Sequence, residues 1–221
     1  MLAKDLISDE IPSLKTADTA LEALWIMEQS KVSQLPIVEG NQFLGLLCEN
    51  DVFDLSEPGE PIGKLSLSLF SPFIGGHQHI YEAIDMMSNL KLSVLPVLDE
   101  QKNYLGSIAL PGLAAYMGKL FGMQLPGGIL VLEVNPFDYS LTEIARIVES
   151  NDARITSMYI TSQPDAQRME ITLKINREDL TSVIRTFVRY EYLIKETHIS
   201  TDSMEEVYKN RFEQFMTYLN I

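Results

Sequence analysis

Cysteine is almost absent from this chain of 221 residues: Cys48 is the only one. No intramolecular disulfide can form, which fits a reducing compartment and excludes the small disulfide-held folds. Histidine is nearly as scarce, with three in all. His77 and His79 could present two nitrogens to one metal, but no cysteine or second histidine pair accompanies them. They read as a surface turn, and no metal site is expected. Runs of Lys or Arg are missing, and the formal net charge is −14, from 31 acidic and 17 basic residues. Such a surface repels phosphate backbones and anionic lipid, which argues against nucleic acid and membrane as partners. Residues Met1 to Leu6 lack the apolar core of a signal peptide. The longest apolar stretch, 104–123, holds Pro111, Lys119 and four glycines. It reads as a strand, a turn and a close-packed helix, not a span. The expected location is the cytoplasm.

Catalytic signatures are missing as well. Gly59–Leu65 approaches a phosphate-binding loop, but its glycine spacing is one residue short. Leu65 also stands where a magnesium-binding Ser or Thr is needed. Cys48 has no cationic neighbour in the sequence to lower its pKa and reads as a small apolar filler. No nucleophile–base set is visible, so the reading is not an enzyme and no cofactor is required.

What the chain does have is an internal repeat. Shifted by sixty residues, Thr19–Val38 lies on His79–Leu98 with seven identities in twenty: Glu22/Glu82, Ala23/Ala83, Met27/Met87, Lys31/Lys91, Ser33/Ser93, Leu35/Leu95 and Pro36/Pro96. After a one-residue insertion the match resumes at Phe43-Leu44-Gly45 and Tyr104-Leu105-Gly106. Such a period means two copies of one supersecondary unit packed on each other. Each copy predicts a helix (20–29 and 80–89), two short apolar strands (34–38 with 43–47; 94–98 with 104–108) and a closing helix. Leu21, Leu24 and Trp25 are expected to form the apolar face of the first helix. Asp18 and Thr19 can cap it, and Glu22 suits its first turn. Residues 55–61, with two prolines and a glycine, connect the copies.

These features resemble a tandem pair of CBS domains, over roughly residues 1–124. The carriers are the alanine-containing helix, the Leu-Pro-apolar strand, and the glycine strand that ends in Cys48-Glu49-Asn50-Asp51. The resemblance implies a pseudo-symmetric unit with two clefts of the kind that hold adenosyl compounds, with repeats at 1–60 and 61–124.

The second half follows a different order. Gln124-Leu-Pro-Gly-Gly128 is a breaker cluster and the expected domain boundary. Beyond it the pattern is strand (129–134), helix, strand (155–161), strand (169–175), helix, strand (193–200). Ser140 and Glu143 should form a capping box for a helix with Leu141, Ile144, Ala145 and Val148 on one face. A turn is expected at Gln163-Pro164-Asp165, and Asn176 should cap a helix carrying Leu180, Val183, Ile184 and Phe187. This βαββαβ order resembles an ACT domain of ferredoxin-like fold, placed at 129–200. The whole arrangement is similar to acetoin-utilisation CBS–ACT proteins. The fold class is therefore α/β and α+β. Residues 203–221 read as a final amphipathic helix, with a stripe from Met204 to Leu219 that packs either on its own domain or on a partner chain.

Asp51 is the informative polar residue. From its position it caps a helix. The resemblance adds a second role, accepting both ribose hydroxyls of an adenine nucleotide with its two carboxylate oxygens. By the same resemblance Pro36 and Ile37 supply the adenine slot, with Thr16 and Asp18 at its polar end. The sequence also departs from the pattern. Cys48 replaces the hydroxyl that would assist a phosphate, and the second copy has Gly112 in place of the aspartate and Ala109 in place of the hydroxyl. Tyr139 stands where an ACT domain has glycine, so no free amino acid is expected to bind there. Two functions follow: a sensor of one adenine nucleotide (AMP, ADP or ATP class) per chain, or a ligand-free homo-oligomeric scaffold with decayed sites. A homodimer is expected in either case, with Ala114, Ala115, Gly118 and Gly122 as a stripe of small residues on one helix.

Overall fold

The computed structural model describes residues 1–53, 55, 57–65, 69–161 and 168–198. The turn expected at 163–165, the end of the last strand at 199–200 and the helix expected at 203–221 lie outside the described residues. The chain divides into two compact units, Met1–Tyr116 and Met117–Ile221. The division falls within a helix, ahead of the breaker cluster at 124–128.

In the first unit each repeat begins with an 11-residue helix, α1 (Ala20–Ser30) or α3 (Ile80–Leu90). Both start on full capping boxes, Thr19 with Glu22 and His79 with Glu82. Both end on a left-handed lysine, Lys31 or Lys91. Thr19, not Asp18, is the cap; the Asp18 carboxylate instead accepts the Lys15 N–H at 2.8 Å. The buried face of α1 also differs from expectation. It consists of Ala20, Ala23 and Met27, while Leu21 and Trp25 are 53% and 64% exposed. The same positions, Ile80, Ala83 and Met87, are buried in α3. A helix pressed close to its neighbours needs small side chains at the contact, so alanine lies inward and the bulkier residues outward.

After each helix comes an antiparallel pair: β1 (Gln34–Glu39) with β2 (Gln42–Cys48), and β4 (Val94–Leu98) with β5 (Tyr104–Ala109). A parallel bridge, Leu14↔Ile37, flanks the first pair, and the short β3 (Ile74–Gly75) flanks the second in the same register, Ile74↔Val97. The repeats close with α2 (Glu49–Phe53) and α4 (Leu110–Leu120). Pro111 is tolerated because the first turn of a helix has no use for its missing N–H.

Neither repeat completes its own core. Leu46 of the first is buried in the core of the second, and Val94 and Ala109 of the second are buried in the core of the first. The lead-in segments are exchanged reciprocally. Ala3 N–H donates to Gln78 O and Lys4 N–H to Gly76 O; in the other copy Ile62 N–H donates to Asp18 O and Gly63 N–H to Thr16 O. Ala3 and Ile62 are accordingly buried in the opposite repeat. Residues 3–7 thus pack with the second repeat although they precede the first. Burying a side chain such as Ile62 contributes about 2 kcal/mol, so the exchange makes the two copies one cooperative unit.

The second unit is a four-stranded antiparallel sheet in the order β7-β8-β6-β9, formed by β6 (Gly128–Val134), β7 (Ile155–Thr161), β8 (Met169–Ile175) and β9 (Leu193–His198). With α5 (Leu141–Glu149) and α6 (Thr181–Arg189) between strands, this is the ferredoxin-like split-βαβ topology. Ile144, Ile147, Val148, Val183 and Phe187 of the helices are buried with Leu130, Leu132, Ile171 and Leu173 of the sheet. Ile147 takes the inward place expected for Leu141, which is exposed. Only half of the capping box at α5 forms: Ser140 accepts the Glu143 N–H, but the Glu143 carboxylate accepts the Tyr192 hydroxyl. Asn176 does not cap α6. Its side chain accepts the Arg154 N–H at 2.6 Å, and the Asp179 carboxylate accepts the Thr181 N–H at the helix start. The helix reaches residue 120, and Gly122 follows it at φ 64°, so Gly122 does not extend the small-residue stripe of 114, 115 and 118.

Candidate functional site

Asp51 is the third residue of α2, and its Oδ2 accepts the Cys48 N–H at 3.0 Å. This is the capping role expected from sequence, satisfying a backbone donor at the helix start. The Asp51 carboxylate also meets the Cys48 thiol by a side-chain hydrogen bond. The helix start itself is tied to the seam between repeats. Glu49 N–H donates to Ser33 O at 3.0 Å, and Ser33 N–H donates to the Ser93 hydroxyl at 2.9 Å. Ser93 in turn donates to Gln34 Oε1 from its N–H at 2.9 Å and its hydroxyl at 2.6 Å. Leu110 N–H, at the start of α4, donates to Ser93 O. Ser33 and Ser93 are equivalent in the repeat, so both closing helices start beside the pseudo-two-fold axis. The symmetry breaks at Gln34, whose counterpart is Val94.

Thr16 and Asp18 lie elsewhere. The Thr16 hydroxyl donates to the Glu39 carboxylate. Glu39 ends β1, whereas Cys48, to which Asp51 is bonded, pairs with Gln34 at the other end of that strand. Five residue steps along the strand separate the two places, on the order of 16 Å. Asp51 and the Thr16–Asp18 segment therefore do not share one pocket wall within the first repeat. The Thr16 and Asp18 carbonyls are also used by the lead-in of the second repeat. Pro36 and Ile37 are buried, Ile37 in the first core, and Pro36 O accepts the Leu14 N–H. They form the floor of the strand pair rather than an open slot. The spacing that would have shown this is the one-period shift, since it pairs the lead-in of each copy with the other copy.

Burial first, and then the charge of Asp51, push the Cys48 thiol up from its ordinary 9.0 to about 11. Two units leave about 100-fold less thiolate at a given pH below 9. Cys48 should therefore alkylate with iodoacetamide at pH 8 one to two orders of magnitude more slowly than a free thiol. Asp51→Asn, which removes the charge, should speed it up. Unchanged kinetics in that variant would separate the thiol from Asp51.

At the equivalent place in the second repeat, a Cβ added to Gly112 meets nothing within 4 Å. The position is open, so the missing aspartate is a difference of chemistry and not of space.

In the second unit, a polar cavity of about 570 Å3 is lined by Glu133, Asn135, Asp138, Glu143, Arg168 and Tyr192 among others. Carboxylates dominate it, and Arg168 is paired with Glu133. Burial, followed by the hydrogen bond to Glu143, pushes the Tyr192 hydroxyl up to about 12, so it stays a donor. Tyr139 packs, partly buried, against the core of this unit. Among the described residues no group of three or more His, Cys, Asp or Glu could hold a metal ion, and no helix is long and apolar enough to cross a membrane.

Comparison with known proteins agrees with the first unit. The CBS domain family model matches residues 3–57. The CBS domain-containing protein YhcV of Bacillus subtilis (strain 168) is 25% identical over 115 residues, 50% of this chain and 81% of that protein. The crystal structure of a CBS domain pair/ACT domain protein from Thermotoga maritima is 21% identical, covering 54% of this chain and 98% of the other with a TM-score of 0.48. CBSX2, solved in complex with AMP, is 17% identical, covering 53% and 96% with a TM-score of 0.46. The first repeat thus matches a CBS domain, and the internal symmetry gives the second the same fold. These matches extend over about half of the chain.

Proposed function

We propose that this chain is a non-catalytic regulatory protein whose paired CBS-type repeats sense an adenine nucleotide at Asp51, and whose ferredoxin-like unit is an ACT-type domain. The observation that carries the reading is the Asp51 carboxylate: it is half-exposed on a helix whose first residue, Glu49, is tied to Ser33 at the seam of the two repeats, and its Oδ2 accepts the Cys48 N–H. Two ribose hydroxyls could share that carboxylate. Cys48 supplies no hydroxyl for a phosphate, so AMP, ADP and ATP should bind with similar strength through the adenosine part. Occupancy would alter the Ser33–Ser93–Gln34 seam, one of the contacts that join the two repeats. A thermal-shift screen with adenine nucleotides, S-adenosylmethionine and NAD tests this. Ligand at 100 times Kd stabilises the folded state by about 2.7 kcal/mol, and no shift with any adenosyl compound would sink the sensor reading.

A second reading, a homo-oligomeric scaffold without ligand, is favoured by Gly112 and Ala109 in the second repeat and by the carboxylate-rich cavity near Tyr139. Both readings expect a homodimer. Light scattering should give about twice the chain mass of 25.0 kDa. A monomer at every concentration would remove the scaffold and the dimer together.

A further inference from the structure

On the face of the β6–β9 sheet opposite the helices lies a mostly apolar cleft of about 310 Å3, lined by Phe121, Met123, Ile129, Ser157, Tyr159, Thr172 and Lys174. The size is at the lower bound of small-molecule pockets, about 300 Å3. Its walls are held in place. The Ser157 hydroxyl donates to Phe121 O at 2.9 Å, and the Phe121 and Tyr159 rings meet edge to face with centroids 5.8 Å apart. Thr172, on the same face of β8 as Lys174, is buried.

Lys174 is the cation of this cleft. Its half-buried ammonium donates to Gly127 O at 2.8 Å, and it forms no ion pair with a carboxylate among the described residues. Among the lining residues of the cleft, Lys174 is the one that carries a charge. Two of its three protons remain for an acceptor. Among the described residues no carboxylate lines the cleft, so an α-ammonium group entering it would lose water without gaining a partner.

We infer that this cleft is a binding site for a small carboxylate with an apolar, amine-free tail. The tail occupies the space between Phe121, Met123, Ile129 and Tyr159, and the carboxylate meets Lys174. The site is independent of Asp51 and stands or falls separately from the nucleotide reading.

Calorimetric titration of the full chain with 4-methylpentanoate, 4-methylpentan-1-ol and leucine tests it, since the three share an apolar tail and differ in head group. The acid should bind saturably, at least 10-fold more tightly than the alcohol or the amino acid. Lys174→Met should remove that preference while Lys174→Arg retains it, with both variants melting as the wild type does. Equal affinity for acid and alcohol, tighter binding of leucine, or a preference that survives Lys174→Met would overturn the assignment. So would the absence of saturable binding by the acid, which is the result expected if part of the chain itself fills the cleft.

Discussion

Asp51→Ala is expected to weaken adenine-nucleotide binding by roughly 10- to 150-fold, because a carboxylate hydrogen bond to a sugar contributes roughly 1.5–3 kcal/mol. Stability should change far less. The Cys48 N–H loses its acceptor, a capping loss of about 1 kcal/mol in a helix of five residues. Affinity and stability thus separate, which distinguishes a ligand contact from a merely structural cap. Titration of wild type and variant with AMP, ADP and ATP should also saturate at one nucleotide per chain, since Gly112 gives the second repeat no carboxylate. Gly112→Asp has room for its side chain and should raise the stoichiometry toward two if the rest of that cleft is competent. Two equivalent sites in the wild type, or identical affinity in Asp51→Ala, would contradict the asymmetry argument.

Gly127→Ala should be the most disruptive single methyl in the second unit. Gly127 has φ 139°, and a Cβ there would stand 2.0 Å from Ile175 O. Ile175 ends β8 and pairs with Gly128 at the start of β6, so relief requires opening the first rung of the central ladder. Left-handed strain and a backbone clash that nothing flexible can absorb should together cost about 3–4 kcal/mol. Urea unfolding should show this loss in the transition of the ferredoxin-like unit and spare that of the repeats. The same position carries the carbonyl that holds Lys174, so carboxylate binding should weaken in parallel. A variant within 1 kcal/mol of wild type would mean that the turn relaxes without disturbing the ladder.

By itself the sequence determined the repeat, its period and most of its elements. Strand pairs alternate or run apolar, helices begin at Ala20 and Ile80, and the βαββαβ order with Met169–Ile175 alternating specifies the second sheet. Those signals are local, set by side-chain periodicity and by a backbone donor seeking the nearest acceptor. Tertiary structure decided what local signals could not. Ala20, Ala23 and Met27 face inward while Trp25 faces out, because close packing selects size as well as hydrophobicity. Glu143 left its capping box for Tyr192, and Asn176 left its helix for Arg154, because a partner distant in sequence offered the bond. Thr16 was drawn to Glu39 and Asp51 to Cys48, because the antiparallel register of β1 and β2 puts those partners at opposite ends. Membership in one site depends on register and on which copy lends its lead-in to which core, and neither is written in the spacing of any single motif.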